Sequence, residues 1–160
     1  METSSTGVRG DRAMIEPACW KDLNQLRRVE KLCFPKDSWP LFDLIGILTF
    51  PNVLRLKAVA DDKMVGFVGI DIRNSQSQAW IATICVEPDY QRRGIASALL
   101  VESESQLRQP VIKLSVRATN TSAIKLYRKF GYREIETWLA YYRDGENALV
   151  MEKRIDRKRI

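Results

Sequence analysis

The stretch from Trp80 to Leu100, Trp-Ile-Ala-Thr-Ile-Cys-Val-Glu-Pro-Asp-Tyr-Gln-Arg-Arg-Gly-Ile-Ala-Ser-Ala-Leu-Leu, constrains the fold more than any other part of the chain. Ile81, Ala82, Ile84, Cys85 and Val86 form a near-continuous apolar run, the pattern of a central strand buried on both faces. Glu87-Pro88-Asp89 ends it, because proline lacks the N–H that a ladder needs. Gln91 to Ala96 then turns into a helix that carries Ile95, Ala98 and Leu99 at helical spacing. A helix start offers free N–H groups and the positive end of a dipole. Gly94 removes a side chain there, Ala96 keeps the next position small, and Arg92 and Arg93 add positive charge. Such a turn suits a phosphate or pyrophosphate.

The remaining features bound the class. A chain of 160 residues, 45% hydrophobic and 29% charged, reads as one soluble domain with a sizeable core. No apolar run approaches a membrane span, and Met1 to Gly7 has no apolar region of a secretory signal. The expected boundaries are a flexible lead over 1–11, a single domain over 12–153 and a basic tail over 154–160. Much of the net charge of +6 sits near the end, since Lys153 to Ile160 holds five basic residues against one acidic. No basic stripe interleaved with aromatics appears, so neither a nucleic-acid nor a membrane partner is expected. Cys19, Cys33 and Cys85 are odd in number and form no C-x-x-C, which fits a reduced, cytoplasmic setting, with Cys85 an inert core residue. The absence of histidine excludes Ser-His-Asp and Cys-His catalysis and the histidine-based zinc motifs. No metal is expected.

Read in order, Arg12 to Pro17 suggests a first strand, and Lys21 to Cys33 a helix with Leu23, Leu26, Val29, Leu32 and Cys33 on one face. Phe34 to Pro40 breaks it, and Leu41 to Phe50 reads as a second helix stopped by Pro51. Asn52 to Asp61 and Met64 to Arg73 read as two strands of a hairpin about a polar turn. After the central strand and its helix, Val111 to Val116 reads as a strand and Asn120 as the N-cap of another helix, which stops at Gly131. Tyr132 to Tyr142 and Asn147 to Lys153 are β-prone runs joined through Asp144-Gly145, a strong hairpin signal. The order gives a mixed α/β sheet.

A second motif spans the fourth helix from the strand before it: Val116-Arg117-Ala-Thr-Asn120-Thr-Ser-Ala-Ile-Lys-Leu-Tyr127-Arg-Lys-Phe-Gly131-Tyr132. Asn120 and Tyr127 stand seven apart, two helical turns, and project from one face. Together with Gln91-x-x-Gly94-x-Ala96, this resembles the GNAT N-acetyltransferases along nearly the whole chain. The resemblance implies an α/β GNAT fold: a mixed central sheet of about seven strands with a splayed central pair, and about four helices.

It also implies acetyl-CoA as co-substrate. Pantetheine would lie against the backbone of Ile84, Cys85 and Val86, and Gln91, Arg92, Arg93, Gly94, Ile95, Ala96 and Ser97 would cradle the pyrophosphate. Asn120 would hydrogen-bond the pantetheine region, with Ser122 also on the cofactor side, and the Tyr127 hydroxyl would protonate the leaving thiolate. A backbone N–H near Val86 would stabilise the oxyanion as a neutral amine attacks the thioester directly. Taken singly, Asn120 reads first as an ordinary cap and Tyr127 as an ordinary core aromatic; the Gly94 turn, in the right order and spacing, is what favours the functional roles.

The base is unassigned. Related bacterial enzymes carry Leu-Glu-Val-Arg where this chain has Leu114-Ser115-Val116-Arg117, and archaeal and eukaryotic relatives carry a glutamate after Leu-Pro where it has Phe34-Pro35-Lys36-Asp37. Asp37, Ser115 acting through water, and a backbone carbonyl all stand as candidates.

Phe34-Pro35 and Tyr141-Tyr142-Arg-Asp-Gly-Glu-Asn-Ala148 resemble the peptide-binding loops of protein N-terminal acetyltransferases. The implied activity is acetylation of free protein N-termini by a monomer or homodimer, with room for an auxiliary subunit. A GNAT acting on a small amine or lysine side chain, and a CoA-binding module without catalysis, are the alternatives.

Overall fold

Asp61 and Asp62 both adopt positive φ, 52° and 59°, and these two residues alone join two long strands. Such a pair is the type I′ turn whose twist matches that of a hairpin, and aspartate tolerates the left-handed region better than most residues. In the computed structural model, which describes residues 9–10 and 13–157, this hairpin belongs to the first of two compact units. The first unit comprises the described residues up to Ile70 together with Ala82–Leu107, and the second comprises Asp71–Ile81 and the described residues from Arg108.

The first unit contains β1 (Arg9–Gly10), β2 (Ala13–Pro17), α1 (Leu23–Cys33), α2 (Leu41–Thr49), β3 (Val53–Ala60), most of β4 (Lys63–Arg73), the end of β5 (Gln78–Val86) and α3 (Ile95–Gln106). Its strands follow the order β1-β2-β3-β4-β5. β1 and β2 are antiparallel, Arg9 facing Met14, and β2 runs antiparallel to β3 from Met14↔Val59 to Pro17↔Leu56. The rest of the expected lead, and Arg12, lie outside the described residues.

Leu26, Val29, Leu44, Ile47 and Leu48 of the two helices are buried with Met64, Phe67 and Cys85 of the strands. One departure from the expected helix face is instructive. Leu32 is 47% exposed, and Glu30 is 1% exposed in its stead. Leu26 and Glu30 are one turn apart, so a carboxyl occupies a core position of α1.

β5 is not buried on both faces throughout. Its burial alternates, with Ala79, Ile81 and Thr83 inside and Ala82 exposed; only Cys85 and Val86 are buried consecutively. An apolar run can therefore hide an ordinary two-residue alternation when the outward positions also carry alanine or isoleucine.

The second unit contains the ends of β4 and β5, then β6 (Val111–Arg117), α4 (Thr121–Lys129), β7 (Arg133–Trp138) and β8 (Ala148–Arg154). Its strand order is β5-β6-β8-β7. β5 pairs parallel to β6 from Gln78↔Val111 to Ile81↔Leu114, and β6 is antiparallel to β8 from Val111↔Arg154 to Arg117↔Ala148. Ile112, Leu114, Ile124, Tyr132, Val150 and Met151 form its interior. β8 continues through Arg154, one residue into the expected tail; residues 158–160 lie outside the described residues.

β7 is exposed along nearly its whole length and pairs with β8 through a register shift between Glu134 and Glu136. It stops at Trp138, short of the expected Tyr142, and Asp144-Gly145 does not join two strands directly. Residues 139–147 form a loop instead. Ala140 turns at φ 49°, its N–H donates to Asn147 Oδ1 at 2.9 Å, and Asp144 and Glu146 are drawn to Arg117. In a tight hairpin both carboxylates would face solvent; here the guanidinium organises the loop.

The four α-helices and mixed sheet among the described residues match the expected class. Among the described residues, no helix is long and apolar enough to cross a membrane.

Candidate active site

In the first unit, the residues singled out from Ile84 to Ser97 form a continuous strand end, turn and helix start. Gln91 does not point its amide outward: Nε2 donates to the Val86 carbonyl at 3.0 Å, closing the turn. The same carbonyl accepts from Cys33 Sγ at 3.1 Å. Arg92 at φ 63° and Gly94 at φ 78° reverse the chain into α3. The first bond of that helix runs from Ala98 N–H to Gly94 O at 3.0 Å, so the amides of Ile95, Ala96 and Ser97 precede the helical ladder. A Cβ built on Gly94 would meet no atom within 4 Å. The backbone there is open on the side where a side chain would stand, and two exposed arginines, Arg92 and Arg93, lead into it. These residues fit a pyrophosphate: amides at a helix start, left-handed backbone and positive charge.

Arg93 lies over the Tyr90 ring, 5.0 Å from its centre, and the Tyr90 hydroxyl donates to Asp61 Oδ2 at 2.5 Å. That bond to Asp61 raises the Tyr90 phenol pKa and fixes the ring beside the turn. Cys85 is buried, and the Cys33 thiol together with burial pushes its own thiol well above the usual range, in keeping with an unreactive core position.

Phe34 and Trp39 pack on the core of this unit, while Pro35 is exposed and Asp37 half-buried. The Asp37 N–H closes a turn onto Phe34 O at 3.2 Å. Sequence reading missed the residue that anchors this loop. Glu30 Oε1 accepts from the Trp39 N–H at 2.6 Å, and Oε2 is buried without a hydrogen-bond partner. Burial raises the Glu30 pKa against the opposing pull of the Trp39 bond. The signal lay in the spacing: Glu30 shares the stripe of Leu23, Leu26 and Cys33. Glu87, immediately after β5, is also buried, with Oε1 3.2 Å from Arg28 and 3.5 Å from Lys63.

In the second unit, Asn120 caps α4. Its Oδ1 accepts from the Ala123 N–H at 3.3 Å and from the Ser122 hydroxyl at 3.4 Å, so both bonds use the oxygen and neither the amide nitrogen. Tyr127 is 5% exposed and meets the Tyr132 ring edge-on at 5.8 Å. Ser115 is half-buried on β6, between Lys113 and Arg117 on the same face and opposite Val150.

Rings from distant parts of the sequence meet in this unit. Trp80 stacks on Trp138 at 6.0 Å, Trp138 approaches Tyr141 at 5.1 Å, and Tyr141 meets Tyr142 edge-on at 5.2 Å. The series ends where the Arg117 guanidinium lies 4.1 Å from the centre of the Tyr142 ring. Tyr141, 56% exposed, is the rung that faces solvent most.

The acetyltransferase (GNAT) family matches residues 20–132. An N-alpha-acetyltransferase of Sulfurisphaera tokodaii is 27% identical over 157 residues, spanning 89% of this chain and 93% of that protein. N-alpha-acetyltransferase RimI of Mycobacterium tuberculosis is 33% identical over 120 residues, 73% of this chain and 76% of that one. The crystal structure of the ribosomal-protein-S18-alanine N-acetyltransferase from Escherichia coli superposes with a TM-score of 0.82 at 26% identity, covering 92% of this chain and 98% of that one. The family match runs from α1 through the Gly94 turn to α4, the elements that carry the motifs, and so the chain belongs to the GNAT family as an acetyl-CoA-dependent N-acetyltransferase.

Proposed function

We propose that this protein transfers the acetyl group of acetyl-CoA to the free N-terminal α-amine of proteins or peptides, by direct attack while both substrates are bound. The observation that carries the acetyl-CoA half is the open, left-handed Gly94 turn ahead of the amides of Ile95, Ala96 and Ser97. The acceptor half draws its support from the N-alpha-acetyltransferase relatives and from the ordered loop that presents Tyr141 and Tyr142.

In this reading Arg92, Arg93 and the helix-start amides hold the pyrophosphate. The backbone of Ile84, Cys85 and Val86 lies along the pantetheine, and the Asn120 amide nitrogen, outside its capping bonds, donates to it. Gln91 shapes the turn through Val86. Tyr127 gives its proton to the departing thiolate, the phenol O–H bond breaking as the S–H bond forms, a general-acid step that depends on the two groups being held together. Asp37 and Ser115 remain the proposed routes for removing the proton from the incoming ammonium, Ser115 through water. Phe34, Pro35, Tyr141 and Tyr142 hold the acceptor. The three cysteines, free of disulfides, agree with a cytoplasmic setting.

An acceptor panel tests this. Short peptides with free N-termini should be acetylated, with polyamines, amino sugars and N-blocked lysine peptides turned over far more slowly. Turnover confined to the latter group would overturn the acceptor class. Tyr127→Phe should lower kcat by about a hundredfold with acetyl-CoA binding retained. No acetyl transfer from the unaltered protein to any of these amines would leave only a CoA-binding module.

A further inference from the structure

The carboxylate of Glu146 faces two segments at once. Its Oε2 accepts from Arg117 Nη1 at 2.5 Å. Its Oε1 accepts from the Thr119 backbone N–H at 2.9 Å and also from the Thr119 hydroxyl. Arg117 ends β6, and Thr119 immediately precedes Asn120, the cap of α4. On the loop side, Glu146 belongs to the turn that carries the tyrosine: Tyr142 N–H donates to Glu146 O at 3.1 Å, and Gly145 N–H to Tyr142 O at 2.9 Å. Arg117 reinforces the join by covering the Tyr142 ring and pairing with Asp144 Oδ2 at 2.9 Å.

These bonds join the turn that carries Tyr142, through the Glu146 main chain, to the segment that leads into Asn120, through the Glu146 carboxylate. The Thr119 hydroxyl and the Arg117 guanidinium hold the Glu146 pKa below its usual value, so the group is ionised at neutral pH and its bonds are of the charge-assisted kind. Moving the tyrosine loop away from the β6–α4 turn means breaking them together. Two binding segments that share such a tie respond to each other's ligands, and thermodynamic linkage makes the response equal in both directions.

We propose that Glu146 is a positioning residue that couples the acceptor loop to the cofactor-side turn, so that CoA beside Asn120 tightens acceptor binding at Tyr141 and Tyr142. This rests on the reading that Asn120 serves the cofactor and the two tyrosines the acceptor. A carboxylate that merely stabilised its own loop would change acceptor affinity by the same factor whether or not cofactor was present.

The experiment is calorimetric titration of the full chain with the peptide that the acceptor panel turns over fastest, without and with saturating CoA. In the unaltered protein CoA should tighten peptide binding about tenfold. In Glu146→Gln, and in Thr119→Val, which keeps the backbone donor and the carboxylate, that factor should fall towards one. A factor of one in the unaltered protein, or the same factor in folded Glu146→Gln and Thr119→Val, would overturn the proposal. Asn120→Ala and Tyr142→Phe report separately on the underlying reading: if the first leaves CoA affinity unchanged, or the second leaves peptide affinity unchanged, the site assignment fails whatever Glu146 does.

Discussion

The thiol of Cys33, on the last turn of α1, donates to the carbonyl oxygen of Val86, the closing residue of β5, at 3.1 Å. A helix end is thereby tied to the strand end from which the Gly94 turn departs. Cys33→Ala removes the donor and should cost about 1 kcal/mol of stability, whereas Cys33→Ser supplies a hydroxyl in its place and should cost less. Urea unfolding of the two variants, compared at constant slope, checks the order.

The buried carboxyl of Glu30 predicts an unusual pH dependence. Its folded pKa is raised above the ordinary 4.5 by burial, so the folded state binds more protons than the unfolded chain across the interval between the two values. Stability contributed by this group is therefore present below the ordinary value and lost as pH rises through the raised one. Glu30→Gln, neutral at every pH, should flatten that decline while its Oε1 still accepts from the Trp39 N–H. Glu30→Ala should instead lose about 1–3 kcal/mol, because the part-buried Trp39 N–H is left without its acceptor. Denaturation midpoints of the three proteins from acid to neutral pH would test both statements. A parallel decline in Glu30→Gln would show that another group is responsible.

Gly94→Ala separates backbone strain from ligand access. The position has φ 78°, which should cost an alanine about 1–2 kcal/mol, but no protein atom stands within 4 Å of the added carbon. The variant should fold with a modestly lower midpoint when no cofactor is present. Its affinity for acetyl-CoA should fall at least about tenfold, the methyl group occupying the space a phosphate would take. Thermal melts without cofactor and calorimetry with it read the two effects independently.

Periodicity located the helices and strands because apolar side chains sit where burial needs them. Leu26 and Val29 of α1, and Ile112, Leu114 and Val116 of β6, are all buried as their spacing implied. The Gly94 turn and the Asn120 cap were legible for a different reason, since each rests on the local geometry of a few consecutive residues. What escaped was set by partners far away in sequence. Asp144-Gly145 has the chemistry of a tight hairpin, yet Arg117, 29 residues from Glu146, redirects its loop. Glu30 reads as an interruption in an apolar stripe until the Trp39 amide across the helix–helix loop is seen to need it. Trp80 was one apolar letter in a strand, and only the folded sheet brings Trp138 onto its face.

β7 forms the outermost strand of its unit and turns Arg133, Glu134 and Glu136 towards water, with its pairing thrown out of step at Glu134. A neighbouring molecule seeking to extend the ladder would meet hydrated charged side chains of both signs and a kinked template rather than a straight row of amides. Crowded solutions of this enzyme should consequently resist fibre formation from that rim, and neutralising those side chains is the change that would expose it.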